Sequence, residues 1–483
     1  MIEKIRFCAL RAYDRADGYL TQHRLLFGAA LAAVLSLALA LYNVSSGPLR
    51  NLNDIGGWSN RAALIGLTAI VHALVLMLCA GLSRCCFARV ALRQLILTAG
   101  YYILQLGINH KTYVFVKSLL PLIRTMQENG MAAAYDMGFS ACALWMINGL
   151  ASTPIYPMYL LKLNAMASLL VIAVLAMRAA EKNGLGIRTE ALLALCVILP
   201  QGFMNAACSA LVDVPALALL FGGFALMDGR KATFRALAMA LIGLSCALSS
   251  VCLYALPVAV WHMHRRGDDL RLLLIVPGML VCTALPAVLG GVPLLYALAG
   301  YFRGIFSAAP YAAGSPGLMA LVPRALVHEM PQYASFLSHF DALDTVTYAQ
   351  PHYTHAHFEQ MSAGFALVGL AAYMGTTMLA LRMKETKPAL HSVMVFVLGA
   401  LIACPAATAG AWLAMDVLCL YAILARPKLR LPACMTLFAT MCSSAYPMTE
   451  EAMLPMIYAF ALCLCALLML LDVIPMTREE KNT

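Results

Sequence analysis

The stretch Leu199-Pro200-Gln201-Gly202-Phe203-Met204-Asn205-Ala206-Ala207-Cys208-Ser209-Ala210-Leu211-Val212-Asp213-Val214 decides how the rest of the chain is read. It joins two apolar runs whose far ends are basic, with Arg178, Lys182 and Arg188 before it and Arg230 and Lys231 after it. Basic loops gather on the cytoplasmic side of a membrane, so this stretch belongs at the opposite face. It carries Asn205 and Asp213 into otherwise apolar surroundings. A carboxylate at the edge of hydrocarbon is costly unless it is solvated, paired or used. The stretch is therefore expected to face a cavity.

Composition supports the same class. Of 483 residues, 62% are hydrophobic and 12% charged, with a mean hydropathy of +0.81. Repeated apolar runs of about 18 residues or more mean transmembrane helices. The fold class is all-α, a polytopic integral membrane protein of about 12–14 membrane segments. The net charge of +10 does not point to nucleic acid, because the Lys and Arg residues sit in short loops where orientation and lipid headgroups place them. Most of the 16 cysteines lie inside apolar runs and no Cys-x-x-Cys pair occurs, which disfavours a metal or dithiol site. Cys85 and Cys86, beside Arg84 and Arg89, are ordinary loop thiols or, less simply, acylation sites. No cleavable signal is expected ahead of the first apolar run.

Outward from the opening stretch, basic loops recur on one side. A cytoplasmic amphipathic N-terminus (1–24) leads into N-terminal spans (25–108), then a membrane core (109–290), a long outer loop region (291–361), a C-terminal span bundle (362–474) and a cytoplasmic tail (475–483). Early in the core, Tyr113, Val116, Leu119, Leu120, Ile123 and Met126 recur at helical spacing, with Lys111, Lys117 and Arg124 on other faces. That pattern predicts a helix lying in the membrane interface. Between Arg235 and His264-Arg265-Arg266 the chain is too short for two full crossings and too long for a loop. Ser249-Ser250 interrupts it, which predicts two half-helices or a re-entrant hairpin lining a cavity.

The candidate residues follow from this path. Asp213 is a plausible base, metal ligand or hydroxyl binder, with Asn205 as a substrate contact. Lys111, Lys117 and Arg124 suit a lipid phosphate, or plain interfacial anchoring, as Lys and Tyr often provide. Asp54, Asp136, Asp341 and Asp344 are further outer acids. His339, His352, His355, His357 and Glu359 fit a solvated His-rich loop better than a zinc or manganese site, since His355 and His357 are two apart.

The order of these features resembles the polyprenyl-phosphate-dependent GT-C glycosyltransferases, in particular bacterial relatives of GPI mannosyltransferase II. The resemblance rests on Tyr156-Pro157-Met158-Tyr159-Leu160-Leu161-Lys162 at the start of a span, then Pro200, Asn205 and Leu211-Val212-Asp213, within a loose similarity from Lys111 to Ala425. It implies a GT-C-like fold with outer amphipathic helices and a broken helix pair. It also implies transfer of a hexose, mannose-like, from a polyprenyl-phosphate donor to an acceptor hydroxyl of a glycan or protein on the extracytoplasmic side, in a bacterial inner membrane. Asp213, Asp136 and Asp54 are then the candidate catalytic acids. Asn205, Lys111, Lys117, Tyr156, Lys162 and Arg303 are the candidate substrate contacts, with a divalent metal as an option. The chain departs from the family at Lys111-Thr112-Tyr113, where an acid is usual, at apolar Thr408-Ala409-Gly410-Ala411-Trp412, and at Ser249-Ser250, where a Lys is usual. The absent loop acid keeps one alternative in play, a GT-C-fold lipid-binding or assembly subunit without catalysis, and a broken helix beside an intramembrane acid suits another, a transporter or flippase.

Overall fold

The computed structural model describes residues 18–50, 52, 57–112, 115–137, 139–199, 201–227, 229 and 231–306, isolated positions between 367 and 401, and then 409–425, 427–449 and 454–479. Among the described residues all regular structure is helical. Four helical stretches are long and apolar enough to cross a membrane: Arg24–Ser45, Trp58–Leu82, Pro157–Lys182 and Leu270–Leu289. Shorter apolar helices accompany them, among them Asp213–Met227 and Ala232–Leu248. Two compact units are present, one of Met1–Glu128 with Trp145–Ala225, the other of Asn129–Leu144 with Leu226–Thr483.

The first unit is built from α1 (Arg24–Ser45), α2 (Trp58–Leu82), α3 (Phe87–Leu106), the start of α4 (Leu120–Ala134), most of α5 (Ala141–Ala151), α6 (Pro157–Lys182), α7 (Ile187–Ile198), α8 (Gln201–Cys208) and most of α9 (Asp213–Met227). Ala and Leu dominate α1, and both are strong helix formers. Pro157 stands in the first turn of α6, where its missing N–H costs nothing. Helices α1, α2 and α3 pack on one another, α6 packs on α2, α3 and α7, and α8 rests on α3, α6 and α7. Gly28 lets α1 approach α2, since a Cβ there would stand 2.7 Å from the Ala80 methyl. Leu37 of α1 and Ile70 and Leu74 of α2 are exposed. Large apolar side chains left outside on long helices are what a lipid-facing surface presents.

The helix expected along residues 113–126 begins differently. A π-helical turn, Phe115–Leu119, precedes α4. Its wider winding shifts the register, so Leu119, Ile123 and Met126 are buried with Phe115 and Leu122, while Val116 is turned out.

In the second unit the chain breaks at Ser249. Helix α10 (Ala232–Leu248) ends there in extended backbone, a 3-10 turn covers Ser250–Ala255, and α11 (Leu256–Arg266) follows. The break frees carbonyls, and Ser140 takes up two of them. Its hydroxyl donates toward Ala247 O at 2.6 Å and Leu248 O at 3.2 Å, and it accepts from the Ala143 amide at 3.2 Å, capping the start of α5. Helix α12 (Ile275–Leu289) packs on α10 and on α13 (Leu294–Phe306), where Thr283 and Tyr301 hydroxyls meet at 2.8 Å. Later in the chain α14 (Ala409–Ala425), α15 (Arg430–Thr449) and α16 (Leu454–Glu479) pack in sequence order.

Candidate functional site

Helices α3 and α7 run side by side in the same direction and α6 runs against them, which gives the first unit two chemically different ends. One end collects Arg89, Arg93, Arg178, Glu181 and Glu190. Arg93 donates to Glu190 Oε2 at 2.7 and 3.1 Å, to Glu181 Oε2 at 3.1 Å and to Ser83 Oγ at 2.7 Å. Arg89 forks onto the same Glu190 and onto Leu185 O at 2.9 Å. Arg178 and the Arg84 amide complete the shell of Glu181 at 2.9 and 2.8 Å. The Arg93 side chain is 3% exposed and that of Glu190 1%. A carboxylate so deep is tolerated because bidentate guanidinium groups surround it. In the adjoining turn Cys86 is exposed and Cys85 half-buried. Burial pushes the Cys85 thiol above its ordinary value, and the nearby Arg93 and Arg89 only partly offset it.

The other end is where the opening stretch lies. Lys162, fully buried, donates to the carbonyls of Gly107 at 3.0 Å, Ile108 at 3.1 Å and His110. An ammonium has three protons, and here all three close the C-terminal turn of α3, where a cation also suits the helix dipole. Cys208, the last residue of α8, packs against Gly107. Tyr159 donates to Asn109 Oδ1 at 3.3 Å, and Phe115, Tyr156 and Tyr159 stack edge to face at 5.9–6.1 Å. Exposed Lys111 follows directly on the loop that Lys162 holds. Helix α8 closes with amides of Ala210 and Leu211 bonded back to Ala207 and Ala206, and Asp213 then opens α9, half-buried. The carboxylate thus stands at a helix N-terminus, where negative charge is favoured.

Between α1 and α3 runs an apolar groove of about 430 Å³, lined by Leu35, Leu39, Leu95 and Ala99 and by Tyr42 and Tyr102 toward its α3 C-terminal end. The two tyrosine hydroxyls meet at 3.1 Å.

The structure therefore brings Tyr156, Lys162 and the α8–α9 stretch to one end of the first unit. Asn205 and Lys117 lie on described backbone in that unit, and their side chains are outside the described residues. Asp136 and Arg303 belong to the second unit, again with undescribed side chains. Asp54, Asp341, Asp344 and the group His339, His352, His355, His357 and Glu359 lie outside the described residues altogether. Among the described residues no three or more His, Cys, Asp or Glu side chains are grouped to hold a metal ion.

Several buried polar residues escaped sequence reasoning. His72, midway along α2, is fully buried, with Nδ1 2.9 Å from Ser36 Oγ and its ring stacked on Tyr101 at 5.1 Å and 9°. Gln94 donates to both Gly28 O and Leu76 O at 3.0 Å. Asn43 donates to Gln105 Oε1 at 3.1 Å. In the second unit Asp416 is buried in α14 and accepts from Thr440 of α15. A signal existed: His72 and Asp416 interrupt apolar runs, and Gln94, Tyr101 and Gln105 repeat at seven and four residues. Compared with known protein families, with curated proteins and with solved structures, the chain finds no match.

Proposed function

We propose that the chain is a polytopic protein of a bacterial inner membrane and a glycosyltransferase of the GT-C kind, moving a mannose-like hexose from a polyprenyl-phosphate donor to an acceptor hydroxyl on the extracytoplasmic side. The observation that carries this reading is the groove between α1 and α3. It is apolar along its length, suits an isoprenoid tail, and runs toward the end of the unit that also holds Tyr156, Asn109 and the turn before Asp213. In the reaction, the Asp213 carboxylate takes the acceptor O–H proton as the oxygen bonds to the anomeric carbon. The carbon–oxygen bond to phosphate breaks, polyprenyl phosphate leaves with the electron pair, and the proton on Asp213 passes to water. Cations must steady the leaving phosphate where water is scarce. With the Lys162 protons spent on backbone carbonyls, that role falls to Lys111 and Lys117.

Membranes containing the chain and a radiolabelled polyprenyl-phosphate mannose test this. Asp213→Ala is expected to cut transfer by about 100-fold or more, the usual worth of a general base. Unchanged turnover removes Asp213 from the mechanism. A second reading, lipid binding without catalysis, draws on the Lys111-Thr112-Tyr113 departure and on the engaged Lys162. It predicts donor binding with no transfer by the unaltered chain. Uptake of the labelled donor into vesicles separates the flippase alternative from both.

A further inference from the structure

The seam of α1, α2 and α3 holds polar atoms that no protein group satisfies: Asn43 Oδ1, His72 Nε2, Gln94 Oε1, Tyr101 OH and Gln105 Nε2. All five residues are 1% exposed or less. The polar neighbours of the Tyr101 hydroxyl are Gln105 and Thr68. Gln94, Tyr101 and Gln105 share one face of α3 and span about 16 Å at 1.5 Å per residue. Each unsatisfied buried group costs about 1–3 kcal/mol, so five in one seam call for a ligand that can give and accept hydrogen bonds in a narrow space. Water meets that description, since buried waters bridge two to four polar partners.

We propose that this seam binds a file of water molecules and passes protons through His72. It joins the Arg/Glu cluster, which begins one residue from Gln94, to the opposite end, where Asn43 and Gln105 pair. A proton delivered to Nε2 makes the imidazolium. Release from Nδ1 to Ser36 Oγ, as the Ser36 hydroxyl gives its own proton to the next water, leaves a neutral ring, so the ring gains one proton and loses one. The starting tautomer returns when a proton passes from Nε2 to Nδ1 through a water bridging the two nitrogens, not back along the file, so each cycle moves one proton onward. The groups facing His72 are Ser36 of α1 and Tyr101 of α3. Helix α6, packed on α2, has no ionisable residue between Lys162 and Arg178. A histidine with no fixed charge at its side can take up and release a proton in turn.

Full-length protein in phosphatidylethanolamine–phosphatidylglycerol vesicles, with an internal pH dye and a valinomycin-clamped potassium potential, tests the proposal. Proton entry is expected to exceed that of protein-free vesicles and to fall to the protein-free level in His72→Phe. Tyr101→Phe keeps the ring stack, removes only the hydroxyl, and is expected to slow entry as well. That variant decides the matter if His72→Phe does not fold. Wild-type flux equal to protein-free vesicles, or undiminished flux in either folded variant, overturns the proposal. Sugar transfer is expected to survive His72→Phe and proton flux to survive Asp213→Ala, so this proposal and the transferase reading fail separately.

Discussion

At the scale of single residues, one local motif recurs at helix ends, closed by glycine at Gly184, Gly267 and Gly291 and by alanine at Ala210. Helix α11 ends at Gly267 with φ +66°, and α8 ends at Ala210 with φ +58°. In both, an amide reaches back five residues, Asp268 to Met263 and Leu211 to Ala206, as the Schellman motif requires. Glycine enters that region without a Cβ clash, whereas alanine loses about 1 kcal/mol there. Ala210 is the described non-glycine residue with positive φ, and it stands three residues before Asp213. Backbone strain held beside a candidate acid is a mark of functional positioning. Ala210→Gly is expected to raise stability by ~1 kcal/mol in detergent unfolding. A lower stability would show that the methyl packs favourably enough to outweigh the strain. Lys162 gives the opposite lesson. Its place in the Tyr-Pro-x-x-Tyr-Leu-Leu-Lys run suggested a phosphate contact, and the fold commits its protons to the α3 terminus instead.

At the scale of elements, the ion cluster ties the α2–α3 turn, α3, α6 and the start of α7 at one point. Arg93 is the hub, because Ser83, Glu181 and Glu190 all bond to it. Arg93→Ala leaves two carboxylates without their shared partner, one of them almost fully buried, and is expected to cost about 3–5 kcal/mol. Arg93→Lys should recover only part, since an ammonium lacks the planar fork. Denaturant titration of detergent-solubilised protein checks both, and equal stability of Arg93→Ala and the parent would mean the cluster is not structural. Which elements meet here was not legible. Arg93 and Glu190 are 97 residues apart, and each by itself reads as a marker of loop charge. The break at Ser249, by contrast, was legible from the spacing of basic residues and the Ser249-Ser250 pair, although the Ser140 hydroxyl that makes it tolerable comes from a distant segment.

At the scale of the whole molecule, orientation is the testable quantity. Proposed cytoplasmic loops include the turn with Cys85 and Cys86. A membrane-impermeant maleimide is expected to label Cys86 in inside-out vesicles and to spare it in right-side-out cells, with the loss of label in Cys86→Ser as the control. Cys85 should react more slowly, because burial raises its thiol and lowers the thiolate fraction that attacks. Labelling of Cys86 only from the outside would invert the topology and place the Asp213 end in the cytoplasm.

The amino-acid sequence on its own determined the helical class, the apolar segments and the break at Ser249. Each of those depends on composition, period or local geometry within a few residues. Tertiary structure alone decided which polar side chains share a partner. Ser36 meets His72, Asn43 meets Gln105 and Arg93 meets Glu190 across separations of 36, 62 and 97 residues. An apolar helix buries several faces equally well, so its pattern does not say which neighbour a lone polar residue will find. The packing of α1, α2 and α3 selects that neighbour, and it also leaves five buried polar atoms for something other than protein to satisfy.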